Sequence, residues 1–268
     1  MSEHPLIGEW RTYLRAGGFP DTTIRLRTRH IRRVACAYPD LCAVTTGDLV
    51  SYLAGQEWKP ATRQTFRASL RAFYGWTAAT GHTATNPAYA LPVVRVPRNR
   101  PRPIPEPLYF AAVAATCRDC DRLALILTGV CGLRAGEVSR VHRDHFEETS
   151  DGLTLRVLGK GGNVRIVPVP DQARPYLPAG WLYPSPVNKG EHMRAPSVAE
   201  HLAELLPEGW SAHKLRHRAA TRAYAATKDI RAVQELLGHQ SPATTAIYTL
   251  IPDEDLRAAV SAIVPTGV

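Results

Sequence analysis

A chain of 268 residues, 44% of them hydrophobic, is long enough to bury one large core or two modest ones, which excludes a disordered chain. Five cysteines, an odd number without framework spacing, fit a reducing compartment; no run approaches the ~18 apolar residues of a membrane span and no basic-then-apolar leader opens the chain, so a cytoplasmic protein that touches no membrane is expected. The net charge of +9 is uneven, with 14 Lys+Arg against 6 Asp+Glu in residues 1–100 and 19 against 18 in residues 101–268, and a basic module joined to a nearly neutral one fits a polyanion partner.

Leu6, Trp10, Tyr13 and Leu14 recur at helical spacing until Gly17-Gly18, predicting a first helix. Asp21 is expected to cap a second, with Ile24, Ile31, Val34 and Tyr38 on its apolar side and Arg25, Arg29, Arg32 and Arg33 largely elsewhere. A short third helix is expected from Asp48 to Ala54. Pro60 opens a fourth, whose stripe is Phe66, Leu70, Phe73 and Tyr74 and which ends at Gly81. Along it Arg63, Arg67 and Arg71 stand four apart, a row that can track a DNA backbone or serve equally as a solvated flank.

From Pro92 to Pro107 there are six prolines in sixteen residues, which hold a chain extended, and Arg95, Arg98, Arg100 and Arg102 make the segment basic. The expected division is therefore a helical domain over 1–94, a basic linker over 95–107 and a second domain over 108–268. In that second domain Leu108–Thr116 and Asp121–Val130 read as helices. Leu153–Leu158 and Val164–Val169 alternate like strands around Gly159-Lys160-Gly161-Gly162-Asn163, which predicts a hairpin with Lys160 near its tip. Helices follow over Ser197–Leu206, His213–Ala226, Asp229–Leu237, Pro242–Leu250 and Asp253–Ile263. The lone Cys117-x-x-Cys120 lacks a second ligand pair, so two small residues on a helix are expected there rather than a metal site.

Four separated segments carry chemistry: Gly132-Leu-Arg134-Ala-Gly-Glu137, Gly159-Lys160-Gly-Gly, His213-Lys-Leu-Arg216-His217, and Leu237-Gly-His239 followed by Tyr248. Two arginines, a lysine, histidines and a tyrosine suit the stabilisation of a phosphate without metal or other cofactor, beside a hydroxyl nucleophile. Taken singly they read blandly. Arg134 and Glu137 pair as a helix salt bridge at i,i+3, and His213 and His217 have metal-ligand spacing without the H-E-x-x-H glutamate. Lys160 lacks the glycines and hydroxyl of a nucleotide-binding loop.

Together, however, Thr128-Gly-Val-Cys-Gly-Leu-Arg-Ala-Gly-Glu-Val138, His213-Lys-Leu-Arg-His-Arg-Ala-Ala-Thr221 and Val233-Gln-Glu-Leu-Leu-Gly-His-Gln-Ser-Pro-Ala-Thr-Thr-Ala-Ile-Tyr248 resemble, in order and spacing, the boxes of the tyrosine recombinases of the phage integrase family. The resemblance implies a mainly α fold with a small β-hairpin or sheet: a two-domain clamp of a helical, SAM-like core-binding domain and a mixed α+β catalytic domain. It implies Arg134 and Arg216 as a phosphate clamp, Lys160 as general acid, His213 as acid/base, His239 as phosphate ligand and Tyr248 as nucleophile, with Glu137 and His217 in support. Arg63, Arg67, Arg71, Arg95, Arg98 and Arg100 are the candidate DNA contacts.

The implied function is site-specific DNA recombination through a 3′-phosphotyrosyl intermediate, with a phage or prophage integrase as first reading. The implied partners are double-stranded recombination sites and further copies of the chain, as a tetramer on DNA and a monomer or weak oligomer off it, with accessory DNA-bending or directionality factors beside them. A type IB topoisomerase-like strand transferase or a non-catalytic DNA-binding relative are the alternatives. Thr227-Lys228 departs from the glycine that many relatives carry before Asp-Ile, a departure that would lengthen that helix.

Overall fold

The computed structural model describes residues 4–97, 101–159 and 162–238. Arg98, Arg100, Lys160, His239, Tyr248 and the helices expected over Pro242–Leu250 and Asp253–Ile263 lie outside the described residues. The chain divides into two compact units, Met1–Asn99 and Arg100–Val268.

The first unit is built from α1 (Pro5–Ala16), α2 (Asp21–Ala37), α3 (Thr46–Ala54) and α4 (Pro60–Ala79). Pro5 and Pro60 open their helices where a missing N–H costs nothing. α1 stops because Gly18 adopts φ 68°, which lets the Phe19 N–H turn back to the Leu14 carbonyl at 3.1 Å. The apolar stripes meet in one core, where Trp10 lies edge-on to Phe73 with ring centres 5.1 Å apart, and Ile31, Val34, Phe66 and Leu70 are buried around them. Between α2 and α4 the buried His30 shares a 2.9 Å hydrogen bond with Ser69 Oγ. Burial, then Arg29 and Arg33, push its pKa down to about 4, so it stays neutral there.

Two expectations for this unit need correction. Asp21 is the first residue of α2 rather than its cap; Pro20 occupies that place and no side chain caps the end. α3 begins two residues earlier than expected, because Thr45 and Asp48 form a reciprocal capping box, with Asp48 N–H to Thr45 Oγ1 at 3.2 Å and Thr45 N–H to Asp48 Oδ2 at 2.9 Å.

The second unit is mainly helical around a small sheet. α5 (Glu106–Ala115) begins inside the stretch expected to be linker, and Ile104 just before it is only 2% exposed, so this part of the proline-rich segment belongs to the packed unit. α6 (Asp119–Gly129) is buried nearly all round, with Leu123, Ala124, Leu125 and Leu127 inaccessible. After the single turn α7 (Ala135–Val138) comes an antiparallel sheet in the order β1 (Phe146–Thr149), β2 (Gly152–Leu158), β3 (Val164–Pro168). The hairpin expected from alternation is β2 and β3, paired Leu158 to Val164 and Leu155 to Val167. β1 was not expected: only Phe146 of its four residues is buried, so its sequence shows no alternation.

α8 (Ala195–Glu204), α9 (Ala212–Thr227) and α10 (Ile230–Leu237) complete the described chain. α9 runs through Thr227, one residue past the end expected from the sequence. Lys228 itself adopts the left-handed conformation, φ 53°, and ends the helix as a glycine would. Asp229 then caps α10, its Oδ1 accepting from Arg231 N–H at 2.7 Å. Among the described residues no helix is long and apolar enough to cross a membrane.

Candidate active site

The second unit brings three arginines onto one carboxylate. Arg134 precedes α7 in extended backbone, and Glu137, three residues on, is 4% exposed. Glu137 Oε2 accepts from the Arg134 N–H at 2.9 Å and Oε1 from Arg134 Nη1 at 2.9 Å. From β3, Arg165 forks the same carboxylate, Nη1 to Oε1 at 3.0 Å and Nη2 to Oε2 at 2.9 Å. From α9, Arg216 Nη1 lies 3.8 Å from Oε2. Burial opposes ionisation of this carboxyl, but the Arg165 fork, the Arg134 N–H and both guanidinium charges outweigh it and hold its pKa down to about 2. Glu137 is therefore a fixed anion that neutralises part of a dense positive cluster. The i,i+3 pairing expected for Arg134 and Glu137 is present as one arm of that larger arrangement.

The last turn of α10 supplies the second anchor. The Leu237 carbonyl accepts from Arg134 Nη1 at 3.3 Å and from Arg216 Nη2 at 2.6 Å, which satisfies a helix-terminal acceptor and aims two guanidiniums side by side. Arg216, 2% exposed, also donates to the Gly132 carbonyl at 2.5 Å. Arg134 keeps 42% of its side chain exposed, so this guanidinium still reaches solvent. Gly238 follows Leu237 at φ 61°, closing α10 in the residue before His239.

On α9, His213 and His217 stand one turn apart with their Nε2 atoms 2.8 Å from each other, so one ring donates to the other's lone pair. Burial, then the charges of Arg216, Lys214 and Arg134, lower the His213 pKa. Burial, then His213, Lys214 and Arg216, push His217 down to about 4. Burial and the neighbouring positive charges favour the neutral form of both rings, and the His213 ring is exposed. Among the described residues no group of three His, Cys, Asp or Glu side chains is placed to hold a metal ion.

Of the residues singled out from sequence, Arg134, Glu137, His213, Arg216 and His217 thus lie together, and Lys160, His239 and Tyr248 lie outside the described residues. Arg165 was missed. Its only signal was a basic residue in the second strand of a hairpin, two positions from Val167 and opposite the buried Val157, which puts it on the inward face of the sheet.

The candidate DNA contacts divide differently. Arg67 spends its fork on the Leu91 carbonyl, from Nε at 3.1 Å and Nη2 at 2.8 Å, and Arg63 Nη2 donates to the Gln56 carbonyl at 2.7 Å. Arg71 lies over the Tyr89 ring, 5.7 Å from its centre, and Arg95 is exposed. The row on α4 is thus largely tied to its own unit. A groove of about 880 Å³ between α1 and α2 is lined by Arg11, Arg15, Arg25, Arg29 and Arg32, with Asp21 the one acid among its lining residues. The spacing of Arg25, Arg29 and Arg32 on one helix was the signal for it, read in sequence only as lying away from the core.

The phage integrase family matches this chain over residues 110–254. The chain is 30% identical to the tyrosine recombinase XerA of Thermococcus kodakarensis, over 97% of this chain and 95% of that protein. In fold it resembles a lambda integrase dimer bound to a COC′ core site, with TM-score 0.72 and 21% identity over 92% of this chain and 77% of that one. It also resembles a lambda integrase tetramer bound to a Holliday junction, with TM-score 0.69 and 22% identity over 89% and 77%.

Proposed function

The chain belongs to the phage integrase family, and we propose from that membership that it is a site-specific DNA recombinase that cleaves and rejoins strands through a covalent bond to Tyr248. The observation that carries the reading is the pair of guanidiniums, Arg134 and Arg216, held side by side on the Leu237 carbonyl, one residue before Gly238-His239.

A phosphodiester under attack gains negative charge on its non-bridging oxygens, and donors already placed for that charge are worth about 3–4 kcal/mol each at the barrier. Arg134 and Arg216 supply such donors as planar guanidinium forks. The Tyr248 oxygen attacks phosphorus as its proton passes to the neutral His213, and the P–O5′ bond breaks as Lys160 protonates the departing oxygen. His239 donates to a phosphate oxygen. The 3′-phosphotyrosyl bond keeps the energy of the broken linkage, so a free 5′-hydroxyl can reverse the step and rejoin the strand. His217, through its bond to His213, orients that ring, and Glu137 holds both arginines.

The partner is duplex DNA, met by the α1–α2 groove of the first unit, whose five arginines suit a phosphate backbone. Exchange of both strand pairs requires several copies on two sites. The tetrameric lambda integrase on a Holliday junction supports the same assembly here, with a phage or prophage integrase as the biological setting. Incubation with a nicked suicide duplex should trap a covalent adduct, and Tyr248→Phe should abolish it. An adduct that persists in that variant would remove the proposal.

A further inference from the structure

Arg165 has no place in the phosphate chemistry just described, yet it is among the most fully engaged cations in the second unit. Its side chain is 14% exposed, it forks both oxygens of Glu137, and its Nε donates to the Leu236 carbonyl at 3.0 Å. Three acceptors on two other elements are more than a solvent-facing strand residue needs.

Its position is equally specific. β3 is one arm of the hairpin whose connecting segment contains Lys160, and Gly159, just after β2, donates its N–H to the Asn163 carbonyl at 2.7 Å. A Cβ placed on Gly159 would lie 3.9 Å from Arg165 Nη1, and one placed on Gly238 would lie 3.0 Å from the same atom. The guanidinium is thus wedged between the residue that precedes Lys160 and the residue that precedes His239, with the Glu137 anion behind it.

We infer that Arg165 is a positioning residue, registering the hairpin that carries Lys160 against the Arg134–Arg216 pair through the shared Glu137 carboxylate. The inference rests on the proposed role of Lys160 as proton donor to the 5′ oxygen. A planar fork fixes both the distance and the angle of the strand relative to the carboxylate, which the point charge of a lysine does not. Loss of it leaves the hairpin paired within the sheet but free to tilt, and a proton donor displaced in this way loses rate without losing DNA.

The test compares single-turnover cleavage of a nicked suicide duplex with that of the same duplex carrying sulfur at the bridging 5′ position. A thiolate leaves without being protonated, so the sulfur substrate bypasses the general acid. Arg165→Met should slow adduct formation on the oxygen substrate by up to about 100-fold, as a misplacement of about 1 Å does. It should regain most of that rate on sulfur, as Lys160→Met does, with its gel-shift affinity unchanged. Equal loss on both substrates, or no loss on either, while Lys160→Met is rescued, overturns the inference alone. A Lys160→Met protein that sulfur does not rescue overturns the general-acid role and this inference with it. Should Arg165→Met fail to fold, Arg165→Lys, which keeps the charge and loses the fork, carries the same comparison.

Discussion

Gly132 and Arg216 lie 84 positions apart in sequence and are joined at 2.5 Å, the glycine carbonyl accepting from the guanidinium Nη1. That carbonyl points inward because Gly132 adopts φ 71°, and a Cβ there would meet Leu237 Cδ2 at 2.7 Å. A glycine therefore sets the direction of the guanidinium proposed to meet the phosphate.

Gly132→Ala should destabilise the chain by more than the roughly 1 kcal/mol of a left-handed alanine, and should depress adduct formation as Arg216 is displaced. Gly81→Ala is the matched control, because Gly81 has φ 80° but no atom within 4 Å of an added Cβ. It should cost stability alone. Urea unfolding of both variants, with cleavage measured beside it, decides the point; equal losses of stability and no change in cleavage would mean that the close contact is relieved without moving the arginine.

Glu137 makes stability depend on acid. Its carboxyl titrates near 4.5 when free and near 2 in the folded chain, so the stabilisation is complete above pH 4.5 and disappears as pH falls toward 2. The span corresponds to on the order of 3 kcal/mol. Urea midpoints taken across that window should fall steeply for the natural chain and less steeply for Glu137→Gln. The variant itself should be less stable at pH 7, because it leaves three guanidiniums crowded around a neutral amide.

The histidine pair titrates in a higher window. Folding keeps His217 neutral down to about pH 4, whereas an unfolded chain binds that proton near 6.5. Stability should therefore decline as pH falls from 6.5 toward 4, and His217→Gln should flatten that decline. Because the His213 pKa is lowered as well, the acid limb of the cleavage rate should lie below 6.5. A limb centred above 6.5 would exclude a neutral His213 as the base.

Two sets of arginines in the first unit should behave oppositely. Arg67 holds the Leu91 carbonyl through two donors, so Arg67→Ala should lower the unfolding midpoint and leave the salt dependence of DNA binding intact. Arg25 and Arg29 line the α1–α2 groove, so replacing either by Ala should weaken binding on any sequence and reduce the slope of log affinity against log salt by about one. Filter binding at several salt concentrations separates the two effects.

What the sequence disclosed follows from the range of the signals. Helices such as α1 and α4 show their apolar stripes within a few turns, and Arg134, Arg216 and His213 stood out because phosphate chemistry demands those residue types. Contacts made across the fold left no such trace. Nothing near Arg67 announces Leu91, and nothing near Arg165 announces Glu137, 28 positions away. β1 was invisible because one buried residue in four makes no pattern. At Lys228 the side chain argued for a longer helix, and the residue instead takes the left-handed conformation, which its type rarely adopts.

The shared carbonyl of Leu237 has a consequence for reach. Gly238 and Tyr248 stand ten positions apart in sequence, and ten residues cover at most about 35 Å at full extension. The two arginines hold the main chain one residue before that count begins.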